Sequence, residues 1–189
     1  MTPEPGRPRV FGVGLNKTGT SSLHEALTIL GYRSLHWGGP PTRRLVEQAL
    51  AEGRPLLSYL DPDLEAFSDI EPLYRNFELV DQQYPGSRFV LTVRPVEEWL
   101  ESRRRHVERN QVRKAAGEYD GDWLEVDLDG WAAEWNQHVA GVRRHFEGRD
   151  DLLELDLTQD ARWDDLSAFV GVRLPERPFP WANRGSDPR

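Results

Sequence analysis

Residues 10–23, VFGVGLNKTGTSSL, form a short apolar run that breaks into a glycine-punctuated turn and then opens a helix. Glycines at such a turn let the backbone approach an anion, while the unpaired N–H groups of the first helical turn and the helix dipole favour its charge. Lys17 adds a full positive charge. Gly14 and Gly19 are separated by four residues, as in a nucleotide-triphosphatase phosphate loop, yet Thr20 occupies the place where that pattern has lysine. The most apolar later segment, FVLTVR from Phe89, closes on Arg94 instead of a magnesium-holding aspartate. The stretch therefore reads as a phosphate binder not built for magnesium-nucleotide hydrolysis. The competing reading is a tight strand-to-helix turn with Lys17 in solvent.

Outward from this stretch, strand and helix signals alternate. Leu23, Ala26, Leu27 and Leu30 fall at i, i+3, i+4 and i+7, and Gly31 can end that helix. Residues 32–36 read as a second strand, followed by a Gly-Gly-Pro-Pro turn and a helix carrying Leu45, Val46, Ala49 and Leu50, closed by Gly53. Residues 55–60 read as a third buried apolar segment with its end at Asp61, and 61–71 as a loop or short helix near the site. A helix over 71–84 precedes a central strand, SRFVLTV, apolar enough to be covered on both faces. Pro95 opens a helix with Val96, Trp99 and Leu100 on one side and the charged run ESRRRHVERNQVRK on the other. An irregular segment over 120–129, a helix over 130–146, a strand over 151–157, a helix over 163–170 and a proline-rich arm anchored by Phe179 and Trp181 complete the pattern.

This alternation predicts an α/β fold, a P-loop-type three-layer sandwich with a central parallel β-sheet flanked by helices and right-handed crossovers. Ligands in such folds lie beyond the carboxyl ends of the strands. A loose leader over 1–8 and one domain over 9–189 are expected. A net charge of −8 argues against a general nucleic-acid binder, and the absence of cysteine excludes disulfides, thiolate metal sites and a cysteine nucleophile. No apolar stretch approaches the ~20 residues of a membrane span, and MTPEPGRPR lacks a signal peptide's apolar region, so a cytoplasmic protein without membrane partners is expected. Oligomeric state is left open.

The strand-end rule brings the 14–19 loop, His36, Asp61 and Arg94 to one crevice. Arg94 and Ser102, eight residues on, can hold a second phosphate through charge-assisted hydrogen bonds. Alternatively, Arg94 pairs with a neighbouring carboxylate and Ser102 is an ordinary helical residue. Together, VGLNKTGTSSL and FVLTVRPVEEWLES resemble the P-loop sulfotransferases that use 3′-phosphoadenosine 5′-phosphosulfate (PAPS). YLDPDLEAFSDIEPLY, YPGSRF and FVGVRLPERPFPWAN resemble the family too, so the likeness spans most of the chain.

The resemblance implies sulfuryl transfer from PAPS to a hydroxyl or amine of a small-molecule or carbohydrate acceptor, with adenosine 3′,5′-bisphosphate as product and no metal. It assigns Lys17 as the catalytic lysine, and Thr18, Gly19, Thr20, Ser21 and Ser22 as the 5′-phosphate cradle through N–H groups and hydroxyls. Arg94 and Ser102 take the 3′-phosphate. The family's closing Arg-Lys-Gly is represented only by Asn183-Arg184-Gly185, which leaves Arg184 a weak candidate.

The family's general base is a histidine in some branches and a carboxylate in others. His36 is the first choice, closing a strand on the crevice side with a suitable pKa, and Asp61 and Asp69 follow; His36 as a simple strand cap is the alternative. His24 and His106 read as solvated, and His138 and His145 receive no role. The basic run on the helix after Pro95 reads as a solvated face with pairs such as Glu101–Arg105. Trp37 and Trp123 are candidates for lining an acceptor pocket. A nucleotide or small-molecule kinase, with Asp156 as the nearest magnesium ligand, and a non-catalytic nucleotide-binding protein are the competing functions.

Overall fold

The computed structural model describes residues 7–158 and 163–181. Five parallel strands, β1 (Val10–Gly12), β2 (Ser34–His36), β3 (Ala66–Ser68), β4 (Arg88–Thr92) and β5 (Leu152–Leu155), lie in the order β2-β3-β1-β4-β5. Between them run α1 (Thr20–Ile29), α2 (Gly39–Ala51), α3 (Glu71–Arg75), α4 (Phe77–Gln83), α5 (Val96–Ala115) and α6 (Leu128–His145), with α7 (Trp163–Val170) after β5. This is the three-layer α/β sandwich that the alternation predicts.

The strand period of two divides the core. Val10, Ala66 and Val90 face α1 and α7 with Leu23, Leu27, Leu166 and Val170. Phe11, Phe67, Phe89 and Leu91 face the other layer, with Val46 of α2, Tyr74, Val80, Trp99, Trp135 and Phe146. Register places Phe11 beside both Phe67 and Phe89, and their rings stack at 5.2 and 5.7 Å. The aromatic ladder clamps β1 between its neighbours on that face. Because the chain passes from β3 across β1 to β4, the order reverses around β1, and a crevice opens at its carboxyl end.

Several boundaries differ from expectation. Residues 55–60 form turns, not a strand: Leu56 is buried because its N–H donates to Gln83 Oε1 and that of Leu57 to Tyr84 Oη, both at 2.8 Å. The third strand is instead Ala66–Ser68, inside the stretch expected as loop or helix. The helix expected over 71–84 is broken at Asn76, whose Nδ2 donates to the Pro72 carbonyl at 2.7 Å. Pro95 caps α5 instead of opening it, and Leu45 and Leu50 of α2 are exposed. Arg7, within the expected leader, is held by Glu65, by the Gly31 carbonyl and over the Tyr32 ring. At the other end Phe179 packs on Trp163 at 4.7 Å, whereas Trp181 is exposed. No helix of the described residues is long and apolar enough to cross a membrane.

Gly14 passes against β4 so closely that a Cβ there would meet Thr92 Oγ1 at 2.1 Å and the Thr92 carbonyl at 2.5 Å. A backbone oxygen of a central strand cannot withdraw cheaply, so Gly14→Ala should destabilise by about 1–3 kcal/mol. In thermal denaturation this is a midpoint lower by roughly 2–10 °C; an unchanged midpoint would contradict the close approach.

Candidate active site

Side chains hold four carbonyls of the loop between β1 and α1. His138 Nε2 bonds the Val13 carbonyl at 2.7 Å, Thr18 Oγ1 donates to Leu15 at 2.6 Å, Trp99 Nε1 to Asn16 at 2.7 Å, and Arg94 Nη1 to Lys17 at 3.2 Å. In a planar trans peptide the next N–H points opposite to the carbonyl. With the carbonyls of residues 15, 16 and 17 drawn into the protein, the N–H groups of Asn16, Lys17 and Thr18 turn away from those anchors. Gly19 then caps α1 in the left-handed region (φ 100°), with no side-chain cap and no acidic residue in the first turn. The positive end of the helix is thus left open to an anion.

Charge at this end is predominantly positive. Lys17, itself left-handed at φ 67°, is pulled below the usual lysine range by burial and by the cations Arg109 and Arg94, and pushed back by Asp69. Arg94 also pairs with Glu98 at 3.1 Å, so its expected carboxylate partner exists, yet its buried Nε has no hydrogen-bond partner among the described residues. Ser102 lies half-buried on α5. It shares a helical face with His106 and Arg109 at i, i+4 and i+7.

His106 and the basic run around it, expected on a solvated face, are in part packed against the protein. His106 stacks on Trp123 at 4.6 Å and is held at about 4 by burial and by Lys17, Arg109 and Arg113. Arg104 and Arg105 pair with Glu101, and buried Arg103 pairs with Glu134 under Trp99, Trp123 and Trp131. Arg109 has no carboxylate partner among the described residues. Trp123 belongs to this packing.

On the other side of β1, His36 and Asp69 close β2 and β3. His36 Nε2 lies 3.5 Å from Asp69 Oδ2, 3.3 Å from Thr20 Oγ1 and 3.4 Å from Ser21 Oγ. Burial, with His24 nearby, brings His36 down to about 4; burial raises Asp69 to about 7, opposed by Lys17. Asp61 is not here. It sits in an exposed turn, paired with Arg33 at 2.9 Å, because the strand that was to end at residue 60 is the turn described above. His24, expected in solvent, bonds Ser34 Oγ at 2.8 Å. The Thr18 hydroxyl is wholly buried, with Thr92 Oγ1 at 2.6 Å, so only its N–H remains for a ligand. Thr20 and Ser22 are buried as well. Asp156 is engaged by Thr158 N and Oγ1. Arg184 lies outside the described residues.

An anion-ready loop, an arginine at the end of the adjacent strand and a histidine–carboxylate pair on the opposite side are what a sulfuryl-transfer site needs. A sulfotransferase-domain family model matches residues 9–119 and 112–187. The chain belongs to the sulfotransferase family. It is a transferase, and sulfuryl transfer is its chemistry. No curated protein sequence matches the chain.

The pair of buried acids and bases makes the stability of this sulfotransferase depend on pH. Asp69 is raised in the fold, so its contribution is fully present below about 4 and is lost as pH rises through about 7. His36 has the opposite sign, losing stability as pH falls through about 4. Asp69→Asn removes the first effect, together with the support this carboxylate gives to the Lys17 charge. At pH 8 the variant should be more stable than the parent by on the order of a few kcal/mol, read as a higher melting temperature, and the gap should close toward pH 4. A gap independent of pH would contradict the burial of this carboxyl.

Proposed function

We propose that the donor is PAPS and that the sulfuryl group passes to a hydroxyl or amine of a small-molecule acceptor, releasing adenosine 3′,5′-bisphosphate. The observation that carries this reading is the hydrogen bond from Arg94 Nη1 to the Lys17 carbonyl. It supports the reading because it ties the loop after β1 to the arginine just beyond β4, and a donor with phosphates at both ends of one nucleoside needs both. The residues fit such a donor. The uncapped, acid-free start of α1 suits the 5′ end, and the partnerless Nε of Arg94, with Ser102 beyond it, suits the 3′-phosphate.

PAPS supplies an activated sulfuryl group whose departing oxygen gathers negative charge. Lys17 answers that charge, and preorganised donors of this kind are worth about 3–4 kcal/mol, or ~10²–10³ in rate. The N–H groups of residues 16–20 and the hydroxyls of Thr20 and Ser21 position the phosphate end. Arg109, facing Lys17 without a carboxylate of its own, adds to the positive field. His36 and Asp69 take the acceptor's proton as a unit. With His36 uncharged and Asp69 poised near neutrality, the pair gains basic capacity as pH passes through about 7.

Lys17→Ala should lose about 10²–10³ in turnover while still binding adenosine 3′,5′-bisphosphate. A ligand at a hundred times its dissociation constant adds about 2.7 kcal/mol, a rise of roughly 5–10 °C in midpoint. Adenosine 3′,5′-bisphosphate and PAPS should produce that rise and ATP with magnesium should not; stabilisation by ATP-magnesium alone would replace this reading with a kinase. Turnover should also climb with pH through about 7, and the climb should vanish in Asp69→Asn if the pair is the base.

A further inference from the structure

Among the described residues, three that are not glycine hold a positive φ: Lys17 at 67°, Trp37 at 56° and Asp69 at 58°. L side chains rarely adopt this region, and a bulky residue stays there only when its surroundings over-determine it. All three stand at the carboxyl ends of adjacent strands. Lys17 follows β1, Trp37 directly follows His36 of β2, and Asp69 directly follows Ser68 of β3.

Lys17 and Asp69 have roles in the chemistry above, but Trp37 has none. Its backbone is fixed on both sides: its N–H donates to the Ser68 carbonyl at 2.9 Å, and Gly38 N–H donates to the His36 carbonyl at 2.6 Å. Gly38 and Gly39 continue in the left-handed region at 65° and 73°, and Thr42 Oγ1 secures the Gly38 carbonyl at 3.0 Å. The indole folds toward this turn, since a Cβ on Gly39 would lie 4.0 Å from its Cη2 and Cζ3. It is nevertheless 59 % exposed, and it meets no aromatic ring or cation among the described residues. The fold therefore holds a large aromatic side chain on a strained backbone without gaining its burial.

We infer that Trp37 is a specificity-determining residue of the acceptor site, its exposed indole face receiving a flat ring that bears the reacting hydroxyl. The inference rests on the sulfuryl-transfer reading and adds to it the acceptor's shape. An indole offers a broad π face that stacks on an aromatic ring or on the C–H face of a sugar, and a linear alcohol covers little of it. Trp37 directly follows His36 at the end of β2, so a ring seated on the indole lies at the same strand end as the His36–Asp69 pair. The shared chemistry is a ring with one apolar face, which a phenol or a pyranoside can supply.

Two variants test this in the full-length protein. Trp37→Gly relieves the positive φ, because glycine adopts it freely. Its melting temperature should equal or exceed the parent's, and a clear fall would make the indole a folding element and overturn the proposal. With adenosine 3′,5′-bisphosphate saturating the donor side, phenol, methyl β-glucopyranoside and n-butanol are titrated by calorimetry into the parent and into Trp37→Ala. At least one ring probe should bind the parent and weaken about tenfold in the variant, the weight of a stacked ring. The bisphosphate affinity should stay unchanged, and n-butanol should bind neither protein. Phenol alone binding identifies an aromatic acceptor, and the glycoside alone a sugar. Ring probes that bind neither protein, or both equally, overturn the assignment of Trp37. Failure of the bisphosphate to bind the parent overturns the donor reading itself, and this inference with it.

Discussion

The fold depends at its centre on a hydroxyl that has only one proton to give. Thr18 Oγ1 donates to the Leu15 carbonyl at 2.6 Å, so the equally short contact with Thr92 Oγ1 must be a donation from Thr92. That pair, wholly buried, ties the apex of the loop to the last residue of the central strand. Gly14 makes it possible, since any Cβ there would occupy the position of the Thr92 hydroxyl. Once the loop is pinned, the Asn16 and Lys17 carbonyls come within reach of Trp99 and Arg94. The site is therefore built by withdrawing carbonyls, and the exposed N–H groups follow from peptide planarity.

Burial has the same effect on Lys17, His36 and Asp69, disfavouring the charged form of each. It lowers Lys17, lowers His36 and raises Asp69. Without a ligand, the crevice therefore holds Lys17, Arg94 and Arg109 against each other, and Asp69 is the main opposing charge on Lys17. An arriving anion reverses the balance, favouring the charged ammonium and reducing the mutual repulsion of the cations. Binding and the readiness of Lys17 are thus coupled by electrostatics alone.

Much of this was legible in the sequence where local chemistry decides the outcome. The loop, α1 with its stop at Gly31, the β4 strand and α7 follow from glycine placement and apolar period. The third strand was not legible, because Ala66–Ser68 is only three residues long, set among acidic neighbours, and is a strand by virtue of pairing with β1 and β2. The apolar stretch before it satisfies its backbone through the Gln83 and Tyr84 side chains instead, a long-range solution that no local pattern announces. Hence Asp61 was placed in the crevice ahead of Asp69. The break at Asn76 carries neither glycine nor proline, and a side-chain amide bonding back to Pro72 leaves no periodic trace. On α5, the Glu101 pairs mark a solvated face correctly, whereas His106, expected in solvent, packs on Trp123, a long-range contact with no local signal.

The strand order then explains why one loop can serve two partners. β1 lies between β3 and β4, so the loop after it receives side chains from both directions. From the β4 side come Thr92, Arg94 and the face of α5, all donors or cations. From the β3 side come Asp69 and, one strand further, His36 and Trp37, which supply a carboxylate, a neutral base and an apolar surface. Under the proposed chemistry the first set suits the anionic donor and the second the neutral acceptor, with Lys17 at the boundary. Reversing β3 and β4 around β1 would exchange the two environments. Moving β3 away from β1 would leave Lys17 without its opposing carboxylate, so the parallel register that seats Val10 beside Ala66 and Arg88 keeps Asp69 and Arg94 on opposite sides of one lysine.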